Sequence, residues 1–417
     1  MNIKLPSMSL MPGIAQSMNL PYFWLNKLSF IDLLLISPKQ VEELNLQTLQ
    51  NNLINNIFAQ NDAINIGKKT INNYYDLLTK KDSFQQNGSL FSKKTIHSLL
   101  NKINWLTNPR LQVINNLADE RLMPTSSLMM EKPSDYEFDI LQNNALDYGS
   151  LCLVLAESHN KKWLFQVNKS TTGWVKEDHL SPLDLCEYMH YRDFIIVTEP
   201  YSQLFKDSNC TQYAKTVRMG TLLYYEEELE MAYKIHNHAN LKQALYLLKS
   251  QAHKGYLPCT LRNIYELAFK YMHTPYGWGD TNGFVDCSKL LQLIFTSFGI
   301  LLPRNGASQG ATGKQIYASD HDSININDKE AYLIKHSIPG ITFFRFPGHI
   351  MLYIGTHRGA AYVLHCLYKY YDESDSINVV NRVVVSDLSL GYGSEVGSFL
   401  ERITQANCLY INKFSQP

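Results

Sequence analysis

The spacing of apolar residues changes period along this chain, and that change limits the fold more than any single motif does. From Tyr22 to about Trp105 apolar positions recur at helical spacing, through Val41, Leu44, Leu49, Leu53, Ile54 and Phe58. Ser37-Pro38 offers an N-cap followed by proline at the first helical position. Further helices are predicted around 65–80 and 93–105, and residues 1–20 read as an irregular arm. Near residue 110 short strand-like runs take over, at 151–155, 163–167 and 173–175, with turn clusters at 159–161 and 168–170. Closely spaced strands with turns between them suit a small barrel. The texture returns over 193–225, with strands expected at 194–197 and 221–225 and a helical stretch at 182–190 between the two β modules.

After Pro258 the pattern is helical again over 261–272 and runs into a glycine-rich loop at 276–283. Cys287 then opens a helix whose apolar residues at 290, 291, 294, 295 and 298 share one face, stopped by Gly299. Residues 305–330 read as a long polar surface loop. The remainder alternates like an antiparallel sheet, with strands at 341–346, 350–354, 361–366 and 379–385. The expected class is α+β.

At 417 residues the chain is too long for one ordinary core, and two to four domains are expected. Lys+Arg and Asp+Glu are both 38, so the net charge is zero, which removes the basic field of a non-specific nucleic-acid binder. The seven cysteines are odd in number and form no CxxC pair, so neither a zinc ribbon nor a disulfide framework is indicated. His236 and His238 are too isolated to suggest a metal site, and no cofactor is expected. No run approaches the roughly 18 apolar residues that span a bilayer. The opening MNIKLPSMSLMPGIAQ is broken by Pro6, Pro12 and Gly13, and no signal peptide is read in it. The expected compartment is the cytoplasm if Met1 is the native start, and the periplasm or cell exterior if a leader was removed.

The chemistry concentrates around Pro275-Tyr276-Gly277-Trp278-Gly279-Asp280 and Phe284-Val285-Asp286-Cys287-Ser288. These residues place a thiol in the first turn of a helix, where the partial positive charge of the terminus lowers a thiol pKa from about 8.5. A thiol nucleophile still needs a base to take its proton and later hand it to the leaving amine. Gly348-His349 opens one strand, and the next carries His365; a hairpin at 355–360 puts the two histidines on one face. His365 would orient His349 as the third member of a triad, with His357 in the turn as the competing orienter. Without its flanking residues Cys287 would read as an ordinary buried cysteine.

The run PYGWGD…DCSKLLQLIFTSFGILLPRN, followed by GHIMLYIG and His365, resembles the NlpC-type papain-like cell-wall cysteine peptidases. Asp280 and Lys289 stand where that pattern has glycines. Tyr22-Phe23-Trp24-Leu25-Asn26 is similar to an N-terminal stabilising segment of one subgroup. Ala118-Asp119-Glu120-Arg121, Phe138-Asp139, Leu141-Gln142 and Gly173-Trp174-Val175 look like its first bacterial SH3-type domain, and Val217-Arg218-Met219-Gly220 suits a second. The resemblance implies a helical stabilising segment at 1–108, SH3-type domains at 109–183 and 184–257, and a papain-like domain at 258–417. It implies hydrolysis of the γ-D-glutamyl–L-diamino acid bond in peptidoglycan stem peptides or muropeptides with a free N-terminal L-alanine. Cys287, His349 and His365 would be catalytic, and Asp286, Ser288, Tyr276 and Trp278 would bind the peptide. Asp286 would pair with the alanine ammonium or cap its helix, Tyr276 would lie near the oxyanion, and the Cys287 N–H would help form the oxyanion hole. Trp278 suits packing as well as substrate contact. Arg304 suits a loop anchor, and Arg121 and Trp174 suit structural roles. The rival readings are an inactive wall-peptide binding protein and an acyltransferase or amidase using the same Cys-His chemistry. The diamino acid, the substrate length and the oligomeric state stay open.

Overall fold

The computed structural model describes residues 3–4, 10–57, 60–183, 185–188, 190–237, 243–319 and 324–410. The chain forms two compact units. One contains residues 1–53, 257–276 and 285–417, and the other contains residues 54–256 and 277–284. The helical segment expected over 1–108 is therefore divided between them. Among the described residues no helix is long and apolar enough to cross a membrane, and no cluster of His, Cys, Asp and Glu has the makings of a metal site. His238 and Phe58 lie outside the described residues.

The unit carrying Cys287 has a seven-stranded sheet as its frame. Its central strands, Thr342–Phe346, His349–His357, Ala360–Tyr371 and Ile377–Asp387, are consecutive antiparallel neighbours. Gln405–Cys408 and Lys314–Ala318 extend the sheet beyond the first of these, and Ile3–Lys4 pairs in parallel with the last. The Arg358-Gly359 turn has positive φ at both residues (52° and 85°), the geometry of a two-residue hairpin whose twist matches its strands. The helix Cys287–Thr296 packs on the sheet, with every residue from Ser288 to Phe295 buried. Phe295 meets Phe343 edge-to-face at 5.3 Å. Residues 305–330 are not the expected loop. They hold the short helix Gly306–Gly310, the strand Lys314–Ala318 and the start of the helix Ile326–His336. The strand is the Ile316-Tyr317-Ala318 run inside an otherwise polar stretch, and it pairs with Gln405–Cys408; residues 320–323 of the expected loop lie outside the described residues.

The N-terminal residues brace this unit. The helix Pro38–Gln50 begins with the expected Ser37 cap, closed into a capping box by Gln40. From it Asn45 donates to the Gly299 carbonyl and accepts from the Leu301 N–H, both at 2.8 Å, fixing the end of the Cys287 helix. Leu34–Ile36 pairs with Cys259–Thr260, and Trp24 is fully buried against Tyr362.

The other unit contains two seven-stranded sheets. The first joins Gln142–Leu146, Ala118–Arg121, Thr172–Lys176, Trp163–Val167, Leu151–Ser158, Ile103–Ile114 and Leu180–Pro182. Strand structure thus starts at 103, and the preceding helix, Lys93–Asn101, stops short of the predicted 105. The second sheet joins Tyr213–Arg218, Tyr201–Phe205, Leu245–Leu248, Ala232–Ile235, Leu222–Glu228, Phe194–Val197 and Ala252–Lys254. Between the sheets only Leu185–Tyr188 is helical among the described residues.

Three buried polar clusters among the described residues help order this unit. Glu120 accepts from Asn143, Gln166, Asn168 and Thr171, which keeps a fully enclosed carboxyl satisfied. Arg121 bridges Asp139, Gln142 and the carbonyls of Thr125 and Ser127, while Trp174 is wholly buried, so both are framework residues here. Arg218, 1% exposed, pairs with Asp147 at 2.6 Å and lies 3.6 Å from the buried Asp280 carboxylate. Asp280 sits at φ 65°, a left-handed conformation that an aspartate tolerates better than most residues. Its side chain therefore has a task that the glycine of the resembling pattern could not perform. Arg218→Ala should lower the unfolding free energy by about 3–5 kcal/mol, because it strands buried carboxylates. Urea unfolding of the full chain measures this, and a loss below about 1 kcal/mol would contradict the assignment.

Candidate active site

Asp286 sets the start of the helix that carries Cys287. Its carboxylate accepts from the backbone N–H groups of Ser288 (3.0 Å) and Lys289 (2.8 Å) and from Ser288 Oγ (2.9 Å). Arg304 donates to it through Nη1 (3.2 Å) and Nη2 (2.7 Å) and reaches Ser288 Oγ at 2.9 Å. Burial alone would raise the Asp286 carboxyl, but Arg304 and these hydrogen bonds hold it below the usual carboxylate range. Gln309, which the sequence reading passed over, ties the Ser288 carbonyl to the Pro303 carbonyl through its Nε2 at 2.7 and 2.8 Å. Its only sequence signal was an isolated glutamine in a stretch taken for loop.

The histidines come from neighbouring strands. Phe346 pairs with His349 across a two-residue Pro347-Gly348 turn in which Gly348 takes φ 86°, so glycine is needed there for the turn itself. Leu352 faces Leu364 on the next strand, and continuing that register puts His365 diagonal to His349 on one face. Their rings meet, with His349 Nε2 and His365 Nδ1 2.7 Å apart, and His365 Nε2 lies 3.1 Å from Ser386 Oγ on the following strand. Ser386 was not foreseen, although it lies two residues along from Val384, the partner of His365. Phe399 packs on both rings, at 5.9 Å from His349 and 5.7 Å from His365, and Phe346 lies 5.4 Å from His349. His357 is elsewhere, against Lys27 and Phe23.

The Cys287 sulfur takes hydrogen bonds from the backbone N–H groups of Ile350, the residue after His349, and of Ser288. These contacts bring the thiol to the strand that begins with His349. The electrostatics differ from the sequence expectation of a lowered thiol pKa. Burial pushes the Cys287 thiol up to about 12, with the Asp286 carboxylate adding to the rise. The first-turn N–H of Ser288 does pull the thiol down, as do the Ile350 N–H and Arg304, but burial and the Asp286 carboxylate outweigh them. Burial drives His349 down to about 3, helped by Arg402 and opposed by Asp286. His365 is lowered as well, by burial and then by His349. These shifts leave the Cys287 thiol and both imidazoles uncharged at neutral pH.

Tyr276 belongs to the same cluster. Its phenol is raised above the ordinary tyrosine range by burial first and then by Cys287 and Asp286, which puts the hydroxyl near both, and its ring lies 5.7 Å from Tyr368. Trp278 belongs to the other unit, where it is 40% exposed and rests edge-on against Phe138. Lys289 is buried within the Cys287 helix. The structure thus brings Cys287, Asp286, Ser288, Tyr276, His349 and His365 into one unit, while Trp278 packs in the other.

Residues 273–365 match the NlpC/P60 family, and residues 129–176 match an SH3 domain of the SH3b1 type. A solved NlpC/P60 endopeptidase from Photobacterium damselae subsp. piscicida superposes with a TM-score of 0.72 at 20% identity, covering 93% of this chain and 96% of that one. An NlpC/P60 family protein from Bacillus cereus ATCC 10987 matches with a TM-score of 0.49 at 16% identity, over 64% of this chain and 82% of that one. Comparison with curated proteins finds no match. NlpC/P60 proteins are cell-wall peptidoglycan hydrolases. The chain is therefore a mixed α+β protein that carries an NlpC/P60 papain-like domain together with an SH3b-type domain.

Proposed function

We propose that this protein is a cysteine endopeptidase that hydrolyses the γ-D-glutamyl–L-diamino acid bond of peptidoglycan stem peptides, including those with a free N-terminal L-alanine. The observation that carries the reading is the 2.7 Å contact between His349 and His365, together with a thiol held on the N–H of Ile350, the residue after His349. In the proposed cycle His349 Nδ1 removes the proton from Cys287 as the sulfur attacks the γ-carbonyl. The tetrahedral oxyanion faces the Cys287 N–H and the Tyr276 hydroxyl. The imidazolium then protonates the departing amine. Water, deprotonated by the same histidine, hydrolyses the thioester and restores the thiol.

The neutral starting pair makes this general-base attack, with no thiolate stored in the resting site. It also assigns tautomers. With Nδ1 of His349 free to accept, Nε2–H donates to His365 Nδ1, and His365 Nε2–H donates to Ser386 Oγ. Ser386 is thus a proposed positioning residue. Asp286 supports the site by holding the helix and Arg304, and the chain's SH3b-type domain, with a second such module formed by the sheet over 194–254, would hold wall peptide.

Incubation with L-Ala-γ-D-Glu-diaminopimelate should release free diaminopimelate, and Cys287→Ala should abolish release. Intact peptide, or acyl adducts without cleavage, would count against the peptidase and for the binding or transferase readings. The difference in absorbance at 240 nm between the native protein and Cys287→Ala should show no thiolate at pH 7. A thiol at about 12 beside a histidine at about 3 further gives a flat kcat/KM from pH 5 to 8, since His349 becomes protonated only below that window and Cys287 ionises only above it. Thiolate absorbance at pH 7 would overturn the neutral pair. Ser386→Ala should lower kcat by about 10-fold with little change in KM, and Ser386→Thr should restore most of it. Equal loss in both variants would remove Ser386 from the relay.

A further inference from the structure

The wall of aromatic rings around the histidine pair also carries a cation. Phe399 opens the short helix Phe399–Arg402 and packs on His349, on His365 and, at 5.2 Å, on Phe346. The Arg402 guanidinium lies 4.1 Å over the Phe346 ring and 5.8 Å from that of Phe399. The same two phenyl rings therefore contact His349 and carry a positive charge, and that charge is felt at His349. Arg402 is half-buried, yet among the described residues its guanidinium makes no hydrogen bond and no ion pair. The adjacent acid does not serve it: Glu401 turns its carboxylate to the Ser398 N–H and Oγ. A partly desolvated guanidinium keeps a planar fork of donors suited to a carboxylate, and stacking on phenyl rings fixes the plane of that fork.

We propose that Arg402 receives a substrate carboxylate beside the scissile bond and so restricts the site to peptides that carry one. This rests on the γ-D-glutamyl reading above. A γ-linked glutamate leaves its α-carboxylate free on one side of the bond, and the diamino acid has a carboxylate next to the scissile nitrogen on the other. Both present the same chemistry to a guanidinium, and three peptides tell them apart. They are L-Ala-γ-D-Glu-diaminopimelate, the same peptide with the glutamyl α-carboxylate converted to a carboxamide, and the same peptide with the diaminopimelate carboxylate next to the scissile nitrogen converted instead.

With the full chain, amidation of the contacted carboxylate should raise KM by about 10- to 100-fold. Arg402→Gln should raise KM for the unmodified peptide by a similar factor and leave that one amidated peptide almost unchanged, while the other amidated peptide behaves like the parent. Arg402→Lys, which keeps the charge, should lose less, and it serves as the test variant if Arg402→Gln unfolds. Equal losses on all three peptides, or no loss on any, would overturn the proposal. If the native protein cleaves none of them, the hydrolase reading fails separately. Calorimetric affinities of the same peptides for Cys287→Ala, with and without Arg402→Gln, then decide the carboxylate contact by the same pattern.

Discussion

A single buried carboxylate decides where the sulfur sits. Asp286 caps the Cys287 helix through two backbone N–H groups, takes the Ser288 hydroxyl and anchors Arg304. A charge in that position is tolerable only because its donors and its guanidinium partner are all in place. Once they are, the first turn of the helix has one direction, and Cys287 is delivered to the Ile350 N–H at the head of the neighbouring strand. The same carboxylate adds to the rise in the thiol that burial begins, so it bears on both the position and the protonation state of the sulfur.

Desolvation does the rest. Phe346, Phe399 and the sheet crowd the half-buried His349 and the fully buried His365, so neither ring readily accepts a second proton. Within the proposed mechanism charge appears only as the reaction proceeds, and an imidazolium formed there has strong reason to give its proton to the leaving amine. His365 contributes direction more than charge, since a neutral imidazole anchored on Ser386 fixes a tautomer without adding an anion.

Much of this was legible in the sequence where local rules were strong. The Ser37-Pro38 start of a helix, the apolar face after Cys287 and the strand alternation beyond 340 all depend on neighbours in the chain, and the structure has them. The placing of His349 and His365 on one face follows from strand parity once the hairpin between them is recognised. What stayed hidden depends on distant partners. The stretch 314–318 is a short Ile-Tyr-Ala run set in polar surroundings, and it is a strand because Gln405–Cys408 offers it an edge. Ser386 and Gln309 have nothing in their own neighbourhood to announce them, and Arg402 gains meaning only from the rings it covers. The thiol pKa departs from the sequence expectation for a similar reason: burial first, and then the Asp286 carboxylate, outweigh the terminal dipole. Asp280 looked like a mere departure from a glycine pattern until Arg218, sixty-two positions earlier, was found beside it.

The account turns on the Cys287 sulfur as the atom that attacks the γ-glutamyl carbonyl. Rapid mixing with L-Ala-γ-D-Glu-diaminopimelate, an acid quench within the first turnover and peptide mapping by mass spectrometry would test this directly. The account predicts an L-Ala-γ-D-glutamyl adduct on the peptide containing Cys287, labile to hydroxylamine as a thioester should be. Consumption of substrate with Cys287 unmodified throughout, or the acyl group on a different side chain, would contradict it.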